Sequence, residues 1–190
     1  MSLPALWDPR RLTYPTMWDL IKSSRFRSLP AIYTDELLIA IFWEESTFCN
    51  IREVRKGGGF GPAVGFGQIN DTEFWRFREC RKEQQTNMIL GDPGYSVTFV
   101  GRFIYDLHKR LNGNRQSVLK GYAGVNANPI NIKAYNGWNA CESILRQVHN
   151  KTFKTPDGHP IPNQAILRQA LHAAKPNSDG FLDQVLKGIP

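Results

Sequence analysis

The sequence predicts a mainly α domain of the α+β class, with one small glycine-rich β-hairpin or loop. Two observations carry this. Apolar residues three and four positions apart recur along most of the chain, the spacing of amphipathic helices. One segment breaks the pattern: GGGFGPAVGFGQIN (57–70) holds six glycines and one proline in 14 residues, too many breakers for a helix interior. With 190 residues, 41% of them hydrophobic and 22% charged, the chain is large enough for one compact domain without covalent staples.

Taken in order, 16–27 reads as a short first helix closed by the Ser28-Leu29-Pro30 break. Thr34 is placed to cap a second helix, with Asp35 and Glu36 in its first turn, where carboxylates suit the positive helix end. That helix runs to about Asn50. The glycine-rich segment follows, then a polar helix over 71–87, a turn at Gly91-Asp92-Pro93-Gly94, and an amphipathic helix over 95–111 with Val97, Val100, Ile104, Leu107 and Leu111 in phase. Asn112-Gly113-Asn114 ends it. Short helices are expected at 117–122, 140–148, 163–174 and 180–186, with a loop over 124–129 and a turn-rich connection at 155–162 (TPDGHPIP).

Glu45 is the most informative single residue. In DELLIAIFWEESTFCN (35–50), Leu37, Leu38, Ile41, Phe42, Phe48 and Cys49 fall on one broad helix side, and Glu45 points to its centre. Glu44 projects near the stripe's edge, beside Ala40 and Thr47, where a carboxylate stays solvated. Apolar surroundings penalise the charged form of a carboxyl, so Glu45 is suited to hold a proton near neutrality, as a general acid must. Standing alone, such a carboxyl is more often a paired core group than a catalytic one.

Composition and motifs exclude several other functions. The net charge of +7 favours an anionic partner, such as nucleic acid, a membrane surface or an acidic cell-wall polymer. The densest basic patch, Arg76, Arg78, Arg81 and Lys82, reads as a solvated face, and no zinc knuckle or RNP-type signature supports nucleic-acid binding. No Gly-Lys-Ser/Thr follows the glycines, so phosphate binding is not expected. The longest apolar run, LLIAIFW, is far too short to span a bilayer, and no secretory signal opens the chain, which leaves localisation unknown. Three cysteines, Cys49, Cys80 and Cys141, form no disulfide framework, and His108, His149, His159 and His172 have no metal-ligand spacing. Neither a metal nor a cofactor is expected.

Three motifs in order resemble the lysozyme-like superfamily, and within it the soluble lytic transglycosylases and goose-type lysozymes. Glu45-Ser46 matches a helix ending in Glu-Ser, Gly65-Phe66-Gly67-Gln68-Ile69 matches a Gly-Leu-Met-Gln-Ile type loop, and Gly121-Tyr122-Ala123-Gly124, after Asn114-Arg115, matches an Ala-Tyr-Asn-small-Gly stretch. The match covers about 35–125. Gly67 stands for the usual Met, Asn70 for a common Pro and Ala123 for the Asn. Tyr135, in Ala134-Tyr135-Asn136-Gly137, matches the third string better but lies thirteen residues later, so Tyr122 is preferred and Tyr135 kept as the alternative.

The resemblance implies a single lysozyme-like domain over 1–190, with an N-terminal helical extension (1–33), a catalytic core (34–150) and a C-terminal helical tail (151–190). It implies cleavage of peptidoglycan glycan strands by one glutamate, Glu45, acting as acid and then base while the muramic acid C6 hydroxyl closes a 1,6-anhydro ring. Ser46, Gly65, Gln68 and Tyr122 or Tyr135 are the implied substrate-binding positions, and Phe60, Phe66 and Trp138 are candidate ring faces for sugars. A muramidase or chitinase-type hydrolase would use Asp71 as a second carboxylate, activating water on the far side of the bond. A glycan-binding module without turnover is the reading from another class. An inhibitor or secretion partner, the export route, and a phage, secretion-system or housekeeping role are left open.

Overall fold

A computed structural model describes residues 10–55, 58–76, 81–125, 128–149 and 164–189, with backbone alone at Trp75, Arg76 and Val148. Cys80, Arg78, His159 and the 155–162 connection lie outside the described residues. The protein is mainly helical with a small three-stranded antiparallel sheet. Helices α1 (Tyr14–Ser24) and α2 (Asp35–Ser46) precede strands β1 (Arg52–Val54), β2 (Phe60–Val64) and β3 (Ile69–Asn70). A 3-10 segment (Asp71–Arg76) leads to α3 (Lys82–Gly91), α4 (Pro93–Arg110), α5 (Arg115–Tyr122), α6 (Ile132–Val148), α7 (Gln164–Ala174) and α8 (Asp179–Val185). No described helix is long and apolar enough to cross a membrane.

α2 is the hub. Its cap is as expected, the Thr34 hydroxyl accepting from the Leu37 amide at 3.1 Å. Its cross-section is not amphipathic. All seven residues from Leu37 to Trp43 are fully buried, because α1, α6 and α7 pack around the helix rather than leaving it a solvent face. The helix stops at Ser46 instead of continuing to Asn50, since Thr47 and Phe48 both take left-handed backbone conformations (φ 52° and 61°). One apolar cluster extends from Tyr14 in α1 to Ile189 beyond α8, so both terminal regions share the core of the middle one.

α6 begins at Ile132, eight residues before the expected Ala140, and takes Tyr135 and Gly137 into its first turns. Gly137 is there for proximity: a Cβ on it would lie 2.8 Å from the Ala174 carbonyl oxygen and 3.0 Å from that of Ala173, both backbone atoms of α7. The expected polar helix over 71–87 is instead the 3-10 segment and then α3. Asp92 absorbs the turn at 91–94, accepting from the Tyr95 amide at 3.0 Å as the cap of α4.

A polar clamp fixes α5 against this framework. Arg115, at the first turn of α5, donates to Asn139 Oδ1 at 3.1 Å and to the Ile32 carbonyl at 3.1 Å, and ion-pairs with Glu142 of α6. Glu142 also accepts from the Thr34 hydroxyl at 2.7 Å. The cap of α2, the start of α5 and the middle of α6 thus share one buried carboxylate.

The sheet runs β1-β2-β3, with Arg52 opposite Val64 and Val64 opposite Ile69. The Gly65–Gln68 turn joins β2 to β3. It is anchored to α4 by the Phe66 amide, which donates to Ser96 Oγ at 3.1 Å.

The α6–α7 contact makes a direct prediction. Gly137→Ala must push α7 away through rigid backbone, an overpacking expected to cost about 1–3 kcal/mol, and chemical denaturation of the variant should show a correspondingly lower midpoint.

Candidate active site

A cleft of about 590 Å³ opens where the last turn of α2 reaches the surface. Its walls come from that turn (Glu44, Glu45), the β2–β3 turn and β3 (Gly67, Gln68, Asn70), Glu73, α4 (Phe103, Leu107), and the end of α5 with the following loop (Tyr122, Asn128, Asn131). A second groove of about 740 Å³ shares Glu44 and Ala134 with it and continues past Lys133 and Asn136 to Lys175 and Asn177.

Both glutamates face the cleft, which corrects the expectation of a solvated Glu44. The tightly enclosed helix leaves its last turn a single exit, and consecutive residues share it. Burial comes first in pushing the Glu45 carboxyl well above its usual range; the adjacent negative charge of Glu44 pushes it further, against the lowering influence of Lys175. Glu44 is raised by burial too, with the positive charge of Lys175 acting in the opposite direction. Both carboxyls therefore favour the protonated form, and the pair keeps a proton to higher pH than an isolated glutamate would. Two carboxyls this close titrate as one unit, and the pair sheds its protons in two coupled steps. Their position at the negative end of α2 also favours keeping the proton.

Tyr122 stands over the pair. Its hydroxyl donates to the Gly67 carbonyl at 2.8 Å, and its ring packs edge-on against Trp138 and Phe103, at 5.7 and 5.6 Å between centroids. Burial raises its phenol pKa well above normal, and the charges of Glu45 and then Glu44 add to this, so the hydroxyl is held as a neutral donor. Gly67 must be glycine here. A Cβ at this position would collide with the Tyr122 hydroxyl and lie 2.6 Å from Val100 Cγ2. Gln68 adopts a left-handed conformation (φ 46°), rare for a residue with a side chain, and is held there by its own amide, which donates to the carbonyls of Gly65 at 2.7 Å and Ile51 at 3.1 Å.

Other expected positions do not join the cleft. Ser46 is buried, its hydroxyl turned back to the Phe42 carbonyl at 3.0 Å, as serines near helix ends commonly do. Gly65 is a buried turn residue (φ +81°), with Ile89 and Ser96 each 2.7 Å from where a Cβ would sit, so its role is backbone geometry. Tyr135 lies on α6 outside the cleft walls, its ring beneath the Lys120 ammonium at 5.7 Å. Asp71 is only 4% exposed and pairs with Arg52 at 3.0 Å and Lys82 at 2.8 Å, so it is a sheet-anchoring carboxylate and not a second acid in the cleft. Phe66 and Trp138 are fully buried core residues, and Phe60 is exposed on β2 away from the cleft, beneath Arg52.

Sequence reasoning passed over Glu44, Phe103, Asn128 and Asn131, and had no means of finding Lys175. The Asn-rich stretch after Gly124 was the one local signal for a polar wall. Among the described residues no cluster of three or more His, Cys, Asp or Glu side chains could hold a metal ion. Cys49 and Cys141 are both buried free thiols. Comparison with protein-family profiles, curated proteins and solved structures finds no match to this chain.

Two outcomes follow from this geometry. Asp71→Ala removes the carboxylate paired with the buried Arg52, which keeps its 2.9 Å hydrogen bond to the Gly61 carbonyl, and should cost about 1–3 kcal/mol in denaturant unfolding. Glu45, by contrast, burdens the fold. Its carboxyl holds its proton to higher pH folded than unfolded, so its full stability is present below the unfolded value, about pH 4, and is lost as pH rises toward the folded one. Glu45→Gln should therefore raise the melting temperature at neutral pH, with the gain vanishing below about pH 4.

Proposed function

We propose that the protein is a peptidoglycan-cleaving lytic transglycosylase with a lysozyme-like fold, cutting the MurNAc-GlcNAc β-1,4 bond and leaving a 1,6-anhydro product. The observation that carries this reading is the pair of adjacent half-buried carboxyls, Glu44 and Glu45, at the wall of an open cleft beneath Tyr122, where burial favours a protonated Glu45. Glu45 delivers its proton to the leaving glycosidic oxygen as the bond to the anomeric carbon breaks. The C6 hydroxyl of the same muramic acid then attacks that carbon, and its proton returns to the pair, which ends as it began. Asn70, Asn128 and Asn131 line the cleft with amides, and Gln68, whose NH2 is bound to the Gly65 and Ile51 carbonyls, offers its side-chain oxygen, for sugar hydroxyls.

The single-acid route is favoured over two-carboxylate hydrolysis on geometric grounds. Hydrolytic pairs flank the scissile bond at about 5–9.5 Å, whereas Glu44 and Glu45 are consecutive residues of one helix turn on the same wall of the cleft, and Asp71 is sealed in ion pairs. A hydrolase reading would instead recruit Glu73, which also lines the cleft.

Glu45→Gln should lower peptidoglycan digestion by about 100-fold or more while circular dichroism stays unchanged; retained activity in a folded variant would overturn the proposal. Activity of the wild type should fall at high pH, as the Glu45 proton is lost. Mass spectrometry of the digest separates the mechanisms: anhydro-muramic ends support the transglycosylase, reducing ends indicate the hydrolase, and binding without products indicates a glycan-binding module.

A further inference from the structure

We infer that Lys175, from the C-terminal region, is a positioning residue for the Glu44–Glu45 pair: it fixes the last turn of α2 and sets a positive charge beside the two carboxyls. The geometry is specific. The Lys175 ammonium donates to the backbone carbonyl of Glu44, a helix-end acceptor with no partner in the helix itself. Lys175 lines the second groove together with Glu44.

The side chain leaves from a fixed point. The Lys175 amide donates to the Leu171 carbonyl at 3.0 Å, closing α7, and the Lys175 carbonyl accepts from the Ser178 amide at 3.1 Å and hydroxyl at 2.5 Å. Backbone held on both sides, with Ser178 fully buried, gives the ammonium little freedom to swing away.

The other groups around the pair do not supply this charge. Tyr122 is neutral, Glu73 adds negative charge to the same cleft, and Lys133, which lines the groove beside Glu44, is solvent-exposed. Among the described residues lining these grooves, Lys175 is the half-buried cation, its ammonium held at the Glu44 backbone beside the carboxyls, and its charge acts to lower both of their pKa values. Without it the pair would hold its protons to higher pH. The role in turnover rests on the function proposed above; the charge arrangement does not.

Titration of glutamate carboxyl carbons by NMR, assigned with Glu44→Gln and Glu45→Gln, tests this without any substrate. In Lys175→Met both steps of the pair should move to higher pH, and Lys175→Arg should move them back. The limbs of the peptidoglycan-cleavage profile should shift together in the same direction, whereas a merely structural loss would lower the plateau and leave the limbs in place. Should Lys175→Met fail to fold, the Lys175 ammonium nitrogen resonance of the wild type must show an inflection at the pair's titration. Unmoved titration in a folded Lys175→Met, or no such inflection, overturns the inference. A shifted titration in a protein that releases no anhydro product would leave this inference standing and remove the proposed function.

Discussion

Seven consecutive residues of α2, Leu37 to Trp43, are closed off from solvent on every side, and the positions of the cleft residues follow from that enclosure. A helix packed all round cannot roll or slide without displacing neighbours on several faces at once, because protein interiors are close to crystal density. Its last turn is therefore a rigid platform. The left-handed pair Thr47 and Phe48 ends the helix abruptly, and the chain then enters the sheet that carries the opposite part of the cleft. Arg11 holds the far side of this corner, its guanidinium donating to the Thr47 carbonyl at 2.9 Å and hydroxyl at 3.3 Å. Cations thus gather at the negative end of the helix, with Arg11 at the turn and Lys175 at Glu44.

Enclosure has an electrostatic consequence. Carboxyls that emerge from such a platform are only partly solvated, and two of them together cannot both ionise freely. The fold accepts a less stable arrangement at neutral pH, with a carboxyl at the cleft that favours its protonated form. Sites that depart from the best local choice in this way are where function is expected to lie.

Tyr122 and Gly67 form a second coupled element. The tyrosine reaches across from α5 to the β2–β3 turn, and only a residue without a side chain at 67 leaves room for its hydroxyl and for Val100. Glycine at position 67 is thus matched by close packing rather than leaving a gap. The Arg115–Glu142–Thr34 clamp sets the angle of α5, so the position of Tyr122 depends on the same carboxylate that secures the cap of α2. The cleft wall and the core architecture are linked through this one buried charge.

What the sequence by itself determined was local. The cap at Thr34, the in-phase Val97, Val100, Ile104 and Leu107 of α4, the Asn112-Gly113 stop and the glycine-rich break all follow from spacing and backbone preference within a few residues. Glu45 stood out because an acid among apolar neighbours is visible along one helix. Only the tertiary structure decided that Glu44 shares its cleft, that Asp71 is bound by Arg52 and Lys82, that Ser46 turns inward, and that Tyr122 rather than Tyr135 faces the pair. The physical reason is the same in each case. Periodicity shows which side of a helix is apolar, but the charge state of a carboxyl depends on which distant groups come within a few ångströms, and Lys175 lies 131 residues from the carbonyl it holds.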